Sequence, residues 1–148
     1  MDFTIISLII SSVALLISFY FSFISSCNTK LDRYNDCITE IDRIIINNPE
    51  LMDIYDESKI KKRKYDTIYI SKIEAFIFLH FNYFENAYFH FLRKRSFLFK
   101  RQKDAWQNFI IEVFKNSFCG ELFNENQKLY DKKFVIYIKK LLPKSDDD

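Results

Sequence analysis

Glycine occurs once in this 148-residue chain, at Gly120, and proline twice, at Pro49 and Pro143. Tight β-hairpin turns depend on glycine for positive φ, and phosphate-cradling loops depend on it for close backbone approach. A chain almost without it is expected to be all-α, built from helices joined by turns of other residues. Both prolines suit this reading. Pro49 sits in Asn48-Pro49-Glu50, where a helix would restart, and Pro143 follows a stretch that would end one.

The N-terminal stretch Phe3 to Ser26 has no charge, no glycine and no proline. As a helix rising 1.5 Å per residue it would be about 36 Å long, enough for a hydrocarbon core of roughly 30 Å. Residues 1–27 are therefore expected to form a transmembrane anchor. A cleaved secretory signal would place Lys or Arg before a shorter apolar core, and here only Met1 and Asp2 precede the run. The rival is a lipoprotein, since Ile24-Ser25-Ser26-Cys27 resembles the box before a lipid-modified cysteine. No Lys or Arg precedes the run, while Lys30, Arg33 and Arg43 follow it, so the positive-inside rule puts the C-terminal body in the cytoplasm, beneath the inner membrane. Cys27, Cys37 and Cys119 are scattered without CxxC spacing, which suits free thiols in a reducing compartment.

Residues 28–143 suffice for one small antiparallel bundle of about four to five helices, with 144–148 as a frayed acidic tail. Leu31, Tyr34, Ile38, Ile41 and Ile45 form a helical stripe that continues from the span. Asn48 is expected to cap a short helix through Leu51, Ile54 and Tyr55. A solvated link through Lys59, Lys61, Lys62, Arg63 and Lys64 leads to a long helix from about Asp66 to Leu92. Its apolar residues, Ile70, Ile73, Ile77, Phe84, Tyr88 and Phe91 with Phe76, Tyr83 and Ala87 beside them, put it mid-bundle. Lys72, Glu74 and Glu85 make it a poor second span, because a charge near the bilayer centre costs roughly 2.5 to 3.5 kcal/mol. A fourth helix, about Asp104 to Ser117, carries Trp106, Phe109, Ile110, Val113 and Phe114 and ends near Gly120; a fifth runs from about Asn124 to Leu142.

The uncharged span, Asn48-Pro49-Glu50-Leu51, Asn82-Tyr83-Phe84-Glu85, the helix led by Trp106 and the closing Tyr130-Asp131-x-x-Phe134-Val135-x-Tyr137-Ile138 together resemble a broad group of uncharacterised bacterial single-pass membrane proteins. That resemblance implies an inner-membrane anchor bearing a cytoplasmic helical bundle. Some similar proteins are named as phage abortive-infection proteins, which implies a setting in stress or phage defence.

Catalytic constellations are missing from the chain. His80 and His90 stand outside any HExxH, ExxH or paired-histidine spacing, and GxSxG and P-loop motifs are absent. The reading is no enzyme, no metal and no cofactor, with the histidines as partly buried packing residues, each with a satisfied ring nitrogen. Asn82 and Glu85, three apart on an apolar helix, are expected to form an interhelical polar network, or else to line a small-ligand pocket of unknown occupant.

Charge is uneven along the chain. From Lys59 to Lys103 twelve Lys or Arg face three acids. If the long helix returns antiparallel, Arg93, Lys94, Arg95, Phe97, Leu98, Phe99, Lys100 and Arg101 come back to the bilayer surface, where each cation near anionic lipid contributes about 1 kcal/mol. No nucleic-acid module accompanies these cations, so nucleic acid is not an expected partner. Within the span, Ser7, Ser11, Ala14, Ser18, Ser22 and Ser25 share one face, a small-residue pattern that favours self-association. The Leu31 stripe is turned about 120° from that face, which argues against a continuous straight coiled coil and for packing of the Leu31 stripe on its own bundle. The function expected is a membrane-anchored interaction or sensing module acting on a protein partner. Its rival is an effector that perturbs the membrane through assembled spans.

Overall fold

The computed structural model describes residues 3–93 and 100–142, without the side chains of 3–9, 27, 28, 30, 31, 33, 34 and 91. Among the described residues every regular element is helical, as the shortage of glycine requires. The chain divides into two compact units, Met1–Glu40 and Ile41–Asp148.

The first unit is α1, a single helix that runs without a break from Phe3 to Asn47 and ends inside the second unit. Among the described residues no helix is long and apolar enough to cross a membrane.

The second unit, the body, begins with a 3-10 helix, Pro49–Tyr55. It continues through α2 (Glu57–Lys62), α3 (Thr67–Ala87) and a π-turn at Tyr88–Leu92. After α4 (Lys100–Phe114) and α5 (Ser117–Asn126), a 3-10 turn at Gln127–Leu129 leads into α6 (Lys132–Leu141). Four of these helices start on an Asp or Asn whose carboxyl or amide oxygen accepts an otherwise orphaned backbone N–H. Asp56 takes Ser58 N at 3.1 Å, Asp66 takes Tyr69 N at 3.0 Å, Asn116 takes Phe118 N at 3.0 Å and Asp131 takes Lys133 N at 2.8 Å.

α3 packs on the 3-10 helix and on α5, and α4 packs on α5 and the 3-10 helix. The core is largely aromatic. Phe81 stacks on Phe114 at 5.3 Å and meets Phe123 edge-on at 5.2 Å; Tyr130 and Phe134 close the cluster against Phe123. A second cluster joins Phe84 to Trp106 and Phe109. Rings this close in edge and offset geometry contribute beyond their buried area.

Several sequence expectations need correction. The basic link is a capped helix, α2, because Ile60 is 3 % exposed and gives six residues an anchor in the core. Asn48 does not cap the helix after it; its Nδ2 donates back to Ile44 O at 3.1 Å and closes α1. Gly120 terminates nothing. The break after α4 falls at Asn116, and Gly120 lies inside α5 with no positive φ. The stretch expected as one helix from Asn124 is the end of α5, a 3-10 turn and α6. α3 is also less enclosed than expected: Ile68, Ser71, Lys72, Ala75, Asn82 and Asn86 form an outward face.

Candidate functional site

In α1, large apolar side chains point outward all round the helix. Ile10, Leu16, Ile17, Phe19, Tyr20, Phe21 and Phe23 are each 50 to 68 % exposed. At 100° per residue, the consecutive Phe19, Tyr20 and Phe21 alone span 200° of circumference, far wider than a stripe for docking on one body. Of the serine face, Ser11, Ala14, Ser18, Ser22 and Ser25 are exposed, and the Ser7 side chain lies outside the described residues.

The basic cluster is described only in part. Arg93, Lys100 and Arg101 are exposed, with the Arg93 guanidinium 5.9 Å from the Phe89 ring centroid. Lys94, Arg95, Phe97, Leu98 and Phe99 lie outside the described residues.

Asn82 and Glu85 part company. Asn82 is exposed, whereas half-buried Glu85 reaches from α3 to the start of α6 and accepts Asp131 N at 2.7 Å. One of the two residues thus supplies an interhelical bond and the other faces solvent. Two surface depressions lie along the start of α3. One of about 230 Å³ is lined by Glu50, Arg63, Asp66, Ile68, Tyr69 and Lys72. Another, of about 450 Å³, runs on to Ser71 and Ala75.

The walls of the smaller depression are already paired. Lys72 meets Glu50 at 3.1 Å, Arg63 meets Asp66 at 3.1 Å, and the Arg63 guanidinium lies 3.7 Å from the Tyr69 ring centroid. The Tyr69 hydroxyl donates to Asp53 at 2.9 Å, and burial together with that carboxylate pushes its pKa up to about 12. Such a closed set of partners describes a surface joint and offers no unsatisfied charge to a ligand.

His80 has the one satisfied ring nitrogen expected of it, and its ring is more deeply enclosed than expected. Its ring is 0 % exposed among Phe76, Phe84 and Phe109. Nδ1 lies 2.8 Å from Phe76 O, so Nδ1 carries the proton and Nε2 is left as a buried acceptor with no partner among the described residues. Burial depresses its pKa to about 4. His90, by contrast, is exposed.

Two polar joints escape sequence reasoning. Asn116, 4 % exposed, donates Nδ2 to Ile54 O at 2.8 Å across 62 residues. Next to it, Ser117 Oγ donates to Glu57 at 2.6 Å; Glu57 also pairs with Lys61, and these bonds hold its pKa down at about 2. The only sequence signal for either is the Asn116-Ser117 pair between two apolar runs, which reads as a helix start and names no distant partner.

The two thiols described are not activated. Burial pushes the Cys119 thiol up to about 12, and burial with the neighbouring Asp36 raises that of Cys37, so neither is an activated thiolate. Among the described residues no group of three His, Cys, Asp or Glu is placed to hold a metal ion. No protein family, curated protein or solved structure matches this chain.

Proposed function

We propose that this chain is a membrane-anchored helical interaction module. The uncharged part of α1 inserts in the inner membrane as a single span, and the body works on the cytoplasmic side by binding another protein. The carrying observation is the all-round exposure of large apolar side chains between Ile10 and Phe23 on a helix segment without charge. Water would penalise every one of those faces, and lipid penalises none. Eight Ser and Thr residues lower the mean hydropathy of the run, yet such hydroxyls satisfy themselves on the helix. Thr29 does so, donating to Ser25 O at 3.0 Å. Lys30, Arg33 and Arg43 support the inward orientation.

For the body, the outward face of α3 supports protein binding. Across Ile68, Ser71, Lys72, Ala75, Asn82 and Asn86 it carries one charge, and that lysine is tied to Glu50. Ile68 is 73 % exposed there. The exposed Arg93, Lys100 and Arg101 support a supplementary contact with anionic headgroups. The setting in stress or phage defence is an extension of this reading that rests on the family resemblance.

Extraction of membranes with alkaline carbonate is the test. The chain should stay in the pellet, with a C-terminal phosphatase fusion inactive and a fluorescent-protein fusion bright. Release into the supernatant would overturn the anchor. Retention with an active phosphatase would reverse the orientation alone, and dye entry on induction would replace the interaction module by a membrane-perturbing effector.

A further inference from the structure

The second half of α1 places Cys27, Leu31, Tyr34, Ile38, Ile41 and Ile45 at alternating steps of four and three. Because α1 is one unbroken helix from Phe3 to Asn47, that register continues into the uncharged run without a slip. Extended backwards it meets Ile24, Tyr20, Ile17, Val13, Ile10, Ile6 and Phe3, so thirteen successive positions are apolar. All eight Ser and Thr residues between Phe3 and Ser26 fall off it.

We propose that this register is a seam for a second copy of the chain, and that two α1 helices pair along it as a parallel, in-register, left-handed coiled coil. The parallel sense rests on the membrane-anchored reading, since two copies with one topology run the same way. The period carries the rest. A straight α-helix drifts about 20° per heptad against a 3.5-residue repeat, so the five heptads from Phe3 to Ile38 would carry the stripe about 100° around it. Docking on a single flat surface does not select such a repeat, whereas supercoiling around a like partner keeps the whole stripe facing inward.

The side chains agree. Naming the Phe3 position a, Ile10, Ile17, Ile24 and Ile38 occupy a, and β-branched residues there favour two parallel strands. Of seven charged residues between Cys27 and Asn47, five (Asp32, Arg33, Asp36, Glu40 and Arg43) take the outermost positions b, c and f. The two that flank the seam meet no like charge across it: Lys30 faces Asn35 of the second copy, and Asp42 faces its Cys37. Along the first half of the seam Ile10 is 63 %, Val13 49 %, Ile17 50 % and Tyr20 62 % exposed, whereas Ile24 and Ile38 are half-buried. The seam ends at the body, whose core takes up Ile41, 3 % exposed. This is not the serine face, because Ser11, Ser18 and Ser25 all sit at b.

Oxidative cross-linking of the full chain in membranes tests the seam. In a Cys27→Ser, Cys37→Ser background, with Cys119 left in place at 0 % exposure, single cysteines are introduced as Ile17→Cys, Ile24→Cys and Leu31→Cys, and as Ser18→Cys, Ser25→Cys and Asp32→Cys. The first set should give covalent dimers at least about five-fold more readily than the second, as facing a positions do in a parallel pair. A maximum at Ser18 and Ser25, or a flat profile, would overturn the seam. Carbonate extraction of the same samples keeps the two readings apart. Release with the a-position maximum intact removes the anchor and leaves the seam, whereas retention with a flat profile removes the seam and leaves the anchor.

Discussion

Asn116 ties three elements through one carboxamide: Nδ2 donates to Ile54 O in the 3-10 helix, and Oδ1 accepts Phe118 N at the start of α5 just after α4 ends. Asn116→Ala removes a buried bond and a helix cap together, so chemical denaturation should show a loss of about 2 to 3 kcal/mol. Asn116→Asp keeps the cap but loses the donor and buries a charge, and it should be no milder. His80 makes stability depend on pH. Its folded pKa is about 4 against an ordinary 6.5, so the unfolded chain binds a proton in that window and the folded chain does not. The stability of the neutral ring is fully present above about 6.5 and is lost as pH falls towards 4, a total on the order of 3 kcal/mol. Urea midpoints measured across this range should fall on acidification, and His80→Leu should flatten the fall. Glu57 acts lower on the scale with the same sign, its contribution present above about 4.5 and lost as pH drops towards 2. Gly120 offers the opposite change. Nothing lies within 4 Å of a Cβ added there, so Gly120→Ala should raise the thermal midpoint by the equivalent of about 0.5 to 1 kcal/mol. The burial of His80 was readable from its apolar neighbours, but its unpartnered Nε2 was not, because a missing partner is a fact about the helix opposite.

The helices of the body are punctuated by Asp and Asn side chains, and α6 is held twice. Asp131 caps its own helix through Lys133 N, while its backbone N–H is bound by Glu85 from α3. Glu85→Ala should therefore cost about 1 kcal/mol and speed hydrogen exchange at Asp131 and along the first turn of α6, with Glu85→Gln retaining much of the protection. If exchange in α6 is unchanged by Glu85→Ala, the bond has no part in docking that helix. The legibility of each element follows from its length and from where its bonds go. α3 was plain because Asp66 precedes a long apolar pattern. α2 was hidden because one buried residue, Ile60, cannot establish a period over six positions. The π-turn left no sequence mark either; there Arg93 N reaches back five residues to Tyr88 O, and both Tyr88 and Leu92 stay buried. Glycine misled for a physical reason: Gly120 is favourable at a left-handed stop but is also tolerated inside a helix.

At the scale of the whole chain, Met1–Glu40 and Ile41–Asp148 each hold most of their own contacts, so they should answer to different surroundings. Hydrogen exchange in residues 3–40 should change when detergent is replaced by lipid, while the slow amides of α3 should not. A matching change in both units would mean that they fold as one cooperative body. The all-helical class was written in the glycine count, whereas the shift from an uncharged run to mixed sequence falls near Cys27, well before the boundary between the units at Glu40 and Ile41. The aromatic core was visible only as separate stripes, since its ring pairs join residues as distant as Phe81 and Phe123. Trp106, the one tryptophan of the chain, is 3 % exposed, with its ring near those of Phe84 and Phe109. Both of those rings also touch His80. The body therefore carries its own optical probe: a blue-shifted indole emission that reddens when the body opens and is contributed by no residue of the first unit.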